Sequence, residues 1–407
     1  MISVQQAEEL ILKNIEPLKE TITVNLFNCL GSVLAENIES ELDFPYWDNS
    51  AMDGYAVKYQ DVQDCSFPVS LRIVEEIAAG KAPQKRLQQG EAARIFTGAM
   101  LPEGADTIIA QEVTQRQGQE VLILAAPQSL GAMVRKKGEY YQAKTTLLKA
   151  GRRLTPQDIP LLTIAQRREI KVYRRPRVAI FSTGDELREP GTQLQAGQII
   201  DSNQYALFAY LQQLGCEPLS LGIVPDQIEH LRQTMELAIA SSDVVLSTGG
   251  VSVGEYDYVE QILGQLGGHL LFNSVAIKPG KPLTVASLGS SLYFGIPGNP
   301  VSTLVTCWRL ITPALKKLAG VQSNWTPSLI KARTESLLFA DGKKETYLCG
   351  QLKIVEGEPE FYLTNQSQSS GNLIHLANTN ALAVLPVGCV EITIGQEVMV
   401  MTLPSCS

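Results

Sequence analysis

The short apolar run Val244-Val245-Leu246 leads directly into Ser-Thr-Gly-Gly at 247–250 and then Val-Ser-Val-Gly-Glu-Tyr-Asp-Tyr at 251–258. An apolar run of this length between polar residues predicts a strand buried on both faces of a parallel sheet. Gly249 and Gly250 carry no Cβ, so their backbone N–H groups can approach an anion closely, and Gly254 permits a second tight turn before a helical pattern at 258–266. Glu255 and Asp257 place carboxylates beside that cradle. Carboxylates repel a bound phosphate unless a divalent cation stands between them, so the stretch suits Mg²⁺-assisted chemistry on a phosphate ester. A glycine turn joining strand to helix accounts for the same residues, and the spacing matches neither the Walker loop nor G-x-G-x-x-G.

The flanking sequence repeats this alternation. Strands are expected at 178–181, 219–223, 244–246 and 293–296, and helices at 204–214, 228–240, 258–266 and 301–318, which predicts a doubly wound α/β domain. In such domains ligands bind beyond the carboxyl ends of the strands. Phe181-Ser182-Thr183-Gly184-Asp185-Glu186 echoes the first stretch, so two strands end alike. Asp201-Ser202-Asn203 reads on its own as a helix cap, and Pro225-Asp226 as a turn. Yet Glu186, Asp201, Asp226, Glu255 and Asp257 all fall at one sheet edge, where mutual repulsion costs stability and a purely structural edge has little use for them. Lys278-Pro279-Gly280-Lys281-Pro282 brings positive charge to that edge on an extended loop, because proline and glycine disfavour a helix. Pro297-Gly298-Asn299-Pro300 then forms a rigid turn before a helix whose first N–H groups are free for an anion.

Composition narrows the partners. The net charge of −8 over 407 residues argues against nucleic acid or an anionic membrane, so an anionic substrate has to be attracted locally. The seven cysteines form no C-x-x-C pair, which favours reduced thiols and a cytoplasmic location, and the three isolated histidines suggest neither a zinc site nor a triad. No apolar run is long enough for a membrane span, and the first ten residues lack the pattern of a secretory signal.

Elsewhere, Ser3 and Gln6 make a capping box for an amphipathic helix carrying Val4, Ala7, Leu10, Ile11, Ile15 and Leu18. Its expected partner is a second helix starting at Thr155-Pro156, which would make the intervening segment an insertion. That insertion alternates short apolar runs (71–74, 92–96, 107–110, 121–124) with turns, as a small all-β domain does. Within it, the residues from Asp48 to Tyr55, including Asp53, and those around Thr97 read equally well as turns or as parts of a site. The basic cluster Arg174-Arg175-Pro176 is expected to be a solvated domain boundary rather than an anion patch. Beyond about residue 320, strands at 347–352, 361–363, 381–385 and 397–401 suggest a final β module.

In order along the chain stand D-N-S-A-M-D-G-Y-A (48–56), T-G-A (97–99), S-T-G-D-E-L (182–187), S-T-G-G-V-S-V-G-E-Y-D-Y (247–258), I-K-P-G-K-P (277–282) and G-I-P-G-N-P-V-S (295–302). Together they resemble the molybdopterin molybdenumtransferases, the family that includes the E domain of gephyrin, over nearly the whole chain. The resemblance implies a multidomain α/β plus β protein. Its parts would be an elongated helical stalk (1–45 and 144–176), an inserted small β domain (46–143), a central doubly wound α/β molybdopterin-binding domain (177–322) and a C-terminal β-barrel (323–407).

The implied reaction inserts molybdate into adenylylated molybdopterin, with hydrolysis of the phosphoanhydride and release of AMP. By the same resemblance Glu186, Asp226 and Asp257 hold Mg²⁺ and orient water, and Lys278 and Lys281 stabilise oxyanions. Gly249, Gly250 and Gly254 cradle phosphate, and Ser252 belongs to the substrate-binding set. Thr183, Asp201, Ser202, Pro297, Gly298, Asn299, Pro300 and Ser370 complete substrate binding. Asp53 and Thr97 are expected from the partner subunit of a homodimer, and a molybdopterin adenylyltransferase is the expected upstream partner. Some positions depart from the family pattern: Tyr140 stands where an acid follows Gly-Glu, Lys344 and Cys349 stand for arginines, and Ser369 for a glycine. A catalytically weak binding protein, or a scaffold of the gephyrin kind, is the alternative reading.

Overall fold

Val178 and Ile180 belong to one hydrophobic core and Ala179 and Phe181 to another, and all four are fully buried. The strand Arg177–Thr183 is therefore apolar on both faces, as the sequence predicts, and lies inside a sheet covered on both sides. Each side chain the size of Ile180 or Phe181 withdrawn from water contributes about 1.5–3 kcal/mol before conformational entropy is subtracted. The computed structural model describes residues 1–250, 258–364 and 368–403. Contacts divide the chain into two units: Met1–Glu36, Ala150–Thr155 and Glu169–Ser407 form one, and Asn37–Lys149 with Pro156–Arg168 form the other.

In the first unit a six-stranded sheet runs in the order Glu217–Val224, Arg177–Thr183, Val244–Thr248, Ser291–Ile296, Pro282–Leu288, His269–Ser274. The first four strands are parallel, and the pairings of Pro282–Leu288 with its two neighbours are antiparallel. The chain leaves Arg177–Thr183 toward one edge and returns on its other side at Val244–Thr248. Their carboxyl ends, at Thr183 and Thr248, therefore mark the topological switch point where such sheets bind ligands. Asn203–Leu214 and the continuous helical segment made of Pro300–Thr306, the π-helical Cys307–Ile311 and Thr312–Leu318 contribute to one core. Ile228–Ser241 and Tyr258–Gln265 contribute to the other.

The amphipathic helix Val4–Lys13 forms with its expected capping box, Ser3 Oγ accepting from the Gln6 N–H at 3.1 Å and Gln6 Oε1 from the Ser3 N–H at 3.0 Å. Its stripe finds a different partner from the one expected. Val4, Ala7 and Ile11 share a core with Leu310, Ile311, Ala314 and Leu315, and the buried Glu8 pairs with Arg309 at 2.9 Å. Residues 156–164 supply only a 3₁₀ turn and the six-residue helix Ile159–Ile164. The N-terminal segment meets residues near 170 through strands instead, Thr21–Asn25 pairing antiparallel with Glu169–Tyr173.

After the helices, Leu329–Thr334, Glu345–Val355, Glu358–Leu363, Ala381–Leu385 and Glu397–Thr402 pair in a closed ring, a five-stranded barrel around Phe361, Leu348 and Val400. Closure leaves no free sheet edge. In the second unit a six-stranded sheet runs Thr107–Ala110, Gly54–Val57, Glu91–Ile95, Val69–Ile77, Glu120–Ile123, Thr114–Gln117, with apolar clusters around Tyr55 and Ile109 and around Ala56 and Ile95.

Candidate active site

At the switch point, Ser182 and Thr248 share a hydrogen bond of 3.0 Å that locks the two strand ends together. Gly249 and Gly250 follow with φ of +86° and +65°, left-handed conformations that glycine adopts without steric cost. A Cβ on Gly249 would lie 2.2 Å from the Thr183 carbonyl oxygen, so only glycine permits this approach. The recess above them has a volume of about 390 Å³ and is lined by Thr183, Glu186, Asn203, Gly249, Gly250 and the turn Pro297-Gly298-Asn299, among others. That turn is pinned from below: Thr303 Oγ1 donates to the carbonyls of Pro297 (2.6 Å) and Asn299 (3.1 Å), and Asn203 Nδ2 donates to the Gly298 carbonyl at 2.7 Å. Pro300 opens the helix that follows.

A second recess, of about 550 Å³, adjoins the first and shares Pro282 and Asn299 with it. Among the described residues Lys278, Lys281 and Lys344 line it against one acid, Asp341. Lys278 Nζ is 3.6 Å from Asp341. The Lys343 backbone N–H at 2.9 Å is the main cause holding Asp341 below the usual carboxylate range, and the charges of Lys278 and Lys344 add to it. The Lys278–Lys281 loop is anchored on both sides. Ile277–Lys278 bridges to Glu345 and Thr346 of the barrel, while at Gly280, φ +112°, a Cβ would lie 2.6 Å from Thr306 Oγ1. Ser370 reaches this recess, its hydroxyl accepting from Asn299 Nδ2 at 3.0 Å.

The two recesses thus gather Thr183, Glu186, Gly249, Gly250, Pro297, Gly298, Asn299, Lys278, Lys281 and Ser370 of the residues expected from sequence. Asp226 stands behind the first recess, accepting from the Thr183 hydroxyl, and its N–H donates to Asp185 Oδ1 at 3.3 Å. Asp201 is placed differently from the expectation. It is buried, and its carboxylate accepts from the N–H groups of Asn203 (3.0 Å) and Gln204 (3.3 Å) and from Gln204 Nε2 (3.3 Å), so capping the helix Asn203–Leu214 uses its oxygens. Asn203, not Ser202 beside it, lines the recess. Ser252, Gly254 and Asp257 lie outside the described residues. Among the described residues no group of three His, Cys, Asp or Glu side chains gathers in metal-binding fashion.

In the second unit Thr97 donates to Asp53 Oδ1 through both its backbone N–H (2.8 Å) and its hydroxyl (2.7 Å). Those two bonds, backbone first, hold Asp53 below the usual carboxylate range. Behind the pair Arg94 lies over the rings of Tyr55 and Phe96, 5.1 and 4.9 Å from their centroids, and donates to Gln111 at 2.7 Å. Tyr140, one of the departures, is exposed and packs on Phe44 with ring centroids 5.7 Å apart. Cys349 cannot replace an arginine at the lysine recess. It is buried in the core, and burial pushes its thiol up to about 11. Its N–H instead donates to Gln368 Oε1 at 3.0 Å, and Gln368 lines the recess. Sequence reading missed Asn203 and Asp341. The first was passed over for the acid two places before it, and the second was hidden in an ordinary Asp-Gly turn.

Three family models match the chain: the MoeA N-terminal region (domains I and II) at residues 2–165, a probable molybdopterin binding domain at 179–317, and the MoeA C-terminal region (domain IV) at 331–403. A molybdopterin molybdenumtransferase of Nostoc sp. is 50% identical over 399 residues, covering 97% of this chain and 91% of the relative. One from Haemophilus influenzae is 38% identical, covering 80% of this chain and 79% of the relative. The crystal structure of a molybdopterin biosynthesis MoeA protein from Pyrococcus horikoshii superposes with a TM-score of 0.87 at 28% identity, covering 99% of this chain and 100% of that one. Matches of this length, with the glycine pair and the lysine loop converging at one sheet edge, show that the chain belongs to the molybdopterin molybdenumtransferase family.

Proposed function

We propose that this chain, an enzyme of molybdenum cofactor biosynthesis, inserts molybdate into adenylylated molybdopterin, hydrolysing the phosphoanhydride and releasing AMP. The observation that carries this reading is the pair of adjoining recesses. One is floored by the paired glycines at the switch point, and the other is lined by three lysines in a chain whose net charge is −8. The Gly250 backbone N–H binds a phosphate oxygen, while Gly249, whose own N–H donates to the Ile296 carbonyl at 3.3 Å, shapes the turn that presents it, and Pro297-Gly298-Asn299 bounds the substrate opposite. Lys278 and Lys281 stabilise oxyanion charge as it develops, with Ser370 orienting the same group through Asn299.

The donors near the first recess, Glu186, Asp226 and the Thr183 hydroxyl, are hard oxygens, and that chemistry fits Mg²⁺ better than a soft metal. Glu186 and Asp226, with Asp257 from the sequence, would hold the cation. When bound it neutralises phosphate charge and polarises the phosphorus–oxygen bond. Thr183 keeps Asp226 in place by donating to it.

The test is AMP release by purified protein given adenylylated molybdopterin, molybdate and Mg²⁺. Lys278→Ala and Lys281→Ala are each expected to slow it at least tenfold, about 1.4 kcal/mol in the barrier. Substrate bound tightly with no AMP released would support a binding-only role instead. A scaffold role is not favoured, because a scaffold has no use for lysines focused on one recess.

The reading extends to a cytoplasmic homodimer supplied by a molybdopterin adenylyltransferase, in which Asp53 and Thr97 of the partner subunit close the site. Mixing inactive Asp53→Ala with inactive Lys281→Ala protein is then expected to restore about a quarter of wild-type turnover. Half of the random dimers are mixed, and each of these has one intact site. Zero restoration after verified subunit exchange would place Asp53 and Lys281 in the same subunit's site, and an Asp53→Ala protein that is active alone would remove Asp53 from catalysis.

A further inference from the structure

The two carboxylate oxygens of Asp53 are treated differently by the second unit. Thr97 donates twice to Oδ1, at 2.8 Å from its backbone and 2.7 Å from its hydroxyl, while Oδ2 accepts no hydrogen bond among the described residues. A carboxylate tied through one oxygen is aimed only as well as the backbone beneath it is fixed. That backbone is the entry to the strand Gly54–Val57. No side chain at position 54 can anchor it, since a Cβ there would lie 2.0 Å from the Ile109 carbonyl oxygen. The anchor comes from the neighbouring strand instead. Arg94, opposite Tyr55 in the antiparallel ladder, donates from Nη1 to the Gly54 carbonyl at 3.2 Å and from Nη2 to Gln111 Oε1 at 2.7 Å. The Gln111 N–H in turn donates to the Asp53 carbonyl at 3.0 Å. One guanidinium thus holds two successive carbonyls, that of Gly54 directly and that of Asp53 by way of Gln111.

We propose that Arg94 is a positioning residue for turnover: it fixes the Asp53–Gly54 backbone so that Asp53 presents Oδ2 in one place as a free anionic oxygen. The inference rests on the reading above that Asp53 takes part in the reaction. Arg94 has no carboxylate at ion-pair distance among the described residues, and its guanidinium lies over the rings of Tyr55 and Phe96. A lysine could keep a charge over those rings, but it lacks the planar fork that reaches both acceptors. The Arg94 charge also adds to the two Thr97 bonds that hold Asp53 below the usual carboxylate range. Precision matters here because misplacing a catalytic group by about 1 Å costs up to roughly a hundredfold in rate.

The test begins with Arg94→Met in the full chain, which keeps an apolar stem over the rings and removes the charge and the fork. It is expected to lower kcat for AMP release roughly tenfold with KM changed less than about twofold, and Arg94→Lys is expected to recover only part of that loss. A double variant separates positioning from general damage. Placed in Asp53→Ala protein, Arg94→Met is expected to slow the residual single-turnover release less than about twofold further, because no carboxylate is left to position. Hydrogen exchange supplies a readout that does not depend on turnover. In Arg94→Met the peptide containing Thr97 is expected to exchange about tenfold faster, while Glu120–Ile123 in the same sheet is unchanged. Should Arg94→Met not fold, Arg94→Lys is taken through the same measurements, and should residual release be too slow to read, exchange at Thr97 decides. Wild-type kcat in Arg94→Met, equal losses with and without Asp53, or faster exchange throughout the sheet each overturn the proposal. Full activity of Asp53→Ala protein would also overturn it, as a failure of the underlying reading, which exchange at Thr97 distinguishes from a failure of the clamp.

Discussion

AMP release by Gly249→Ala protein is expected to fall at least a hundredfold, about 2.7 kcal/mol in the barrier, while Gly298→Ala in the opposite wall of the same recess keeps most of its activity. The difference follows from what each added methyl would meet. At Gly249 the Cβ lies 2.2 Å from the Thr183 carbonyl oxygen, and that oxygen belongs to a strand paired on both sides and unable to yield. The residue also sits at φ +86°, where a side chain costs about 1 kcal/mol or more. Relief requires the segment from Thr248 to Gly250 to move, breaking the Gly249 N–H bond to the Ile296 carbonyl and displacing the Gly250 N–H proposed to hold phosphate.

At Gly250 the nearest atom is the Thr183 Cγ2 methyl, 2.8 Å away. That methyl can rotate aside, though only by breaking the hydroxyl's bond to Asp226. Gly250→Ala should therefore fall between the two, with a loss of roughly tenfold. At Gly298 the nearest atoms are 3.7 and 3.9 Å away, ordinary contact distances. Steady-state assays of the three variants check the order, and a Gly249→Ala enzyme as active as Gly298→Ala would remove the glycine pair from the chemistry.

The importance of Gly249 is legible in the sequence because a glycine pair closing a fully apolar strand marks a place where the backbone itself must come close to something. The strands flanking it are legible because short runs such as 178–181 and 244–246 have no polar face to offer. His269–Ser274, pairing at the sheet edge, carries His, Asn and Ser and shows no such pattern. For the N-terminal helix, periodicity revealed the apolar stripe but could not say which of several apolar helices covers it, and the buried Glu8–Arg309 pair that fixes the choice spans nearly the whole chain. Asp201 shows a different limit. Residue type reveals that a group is anionic, but whether its oxygens are already engaged depends on the backbone N–H groups around it. Arg174, expected to be solvated, is withdrawn from water for a related reason: its acid stands at Asp243, beside a strand that only the fold brings alongside.

Asp243→Asn is expected to destabilise the first unit by roughly 2–3 kcal/mol at neutral pH, between the values typical of exposed and of buried ion pairs. Both partners are largely shielded, with side-chain exposures of 15% for Arg174 and 17% for Asp243. The carboxylate accepts from Arg174 Nη1 at 2.7 Å and Nη2 at 2.8 Å, and from the Arg177 N–H at 2.8 Å. Burial is the largest single influence on Asp243 and raises its pKa, but Arg174 and the Arg177 N–H together outweigh it, and the group lies below the usual carboxylate range.

A folded-state pKa below the unfolded one means that the folded chain binds fewer protons. The stabilisation is therefore fully present above the unfolded carboxylate value, about pH 4, and is lost as pH falls through the lower folded value. The stability gap between wild type and Asp243→Asn, measured by urea unfolding, should be constant from pH 7 to about pH 5 and shrink below pH 4. Glu20 also receives Arg174, at 2.6 Å, but is 72% exposed, so Glu20→Gln should cost less than about 1 kcal/mol and most of that should disappear in high salt. An Asp243→Asn gap that does not change with pH, or one no larger than that of Glu20→Gln, would mean that burial cancels the pairing. Asp243 immediately precedes the strand Val244–Thr248, and its N–H donates to the Arg177 carbonyl at 2.9 Å. The clamp thus ties the starting ends of the two strands whose far ends carry Thr183 and Gly249. Turnover per folded molecule should accordingly change little in Asp243→Asn, separating the residues that hold this sheet together from those at its opposite edge that hold the substrate.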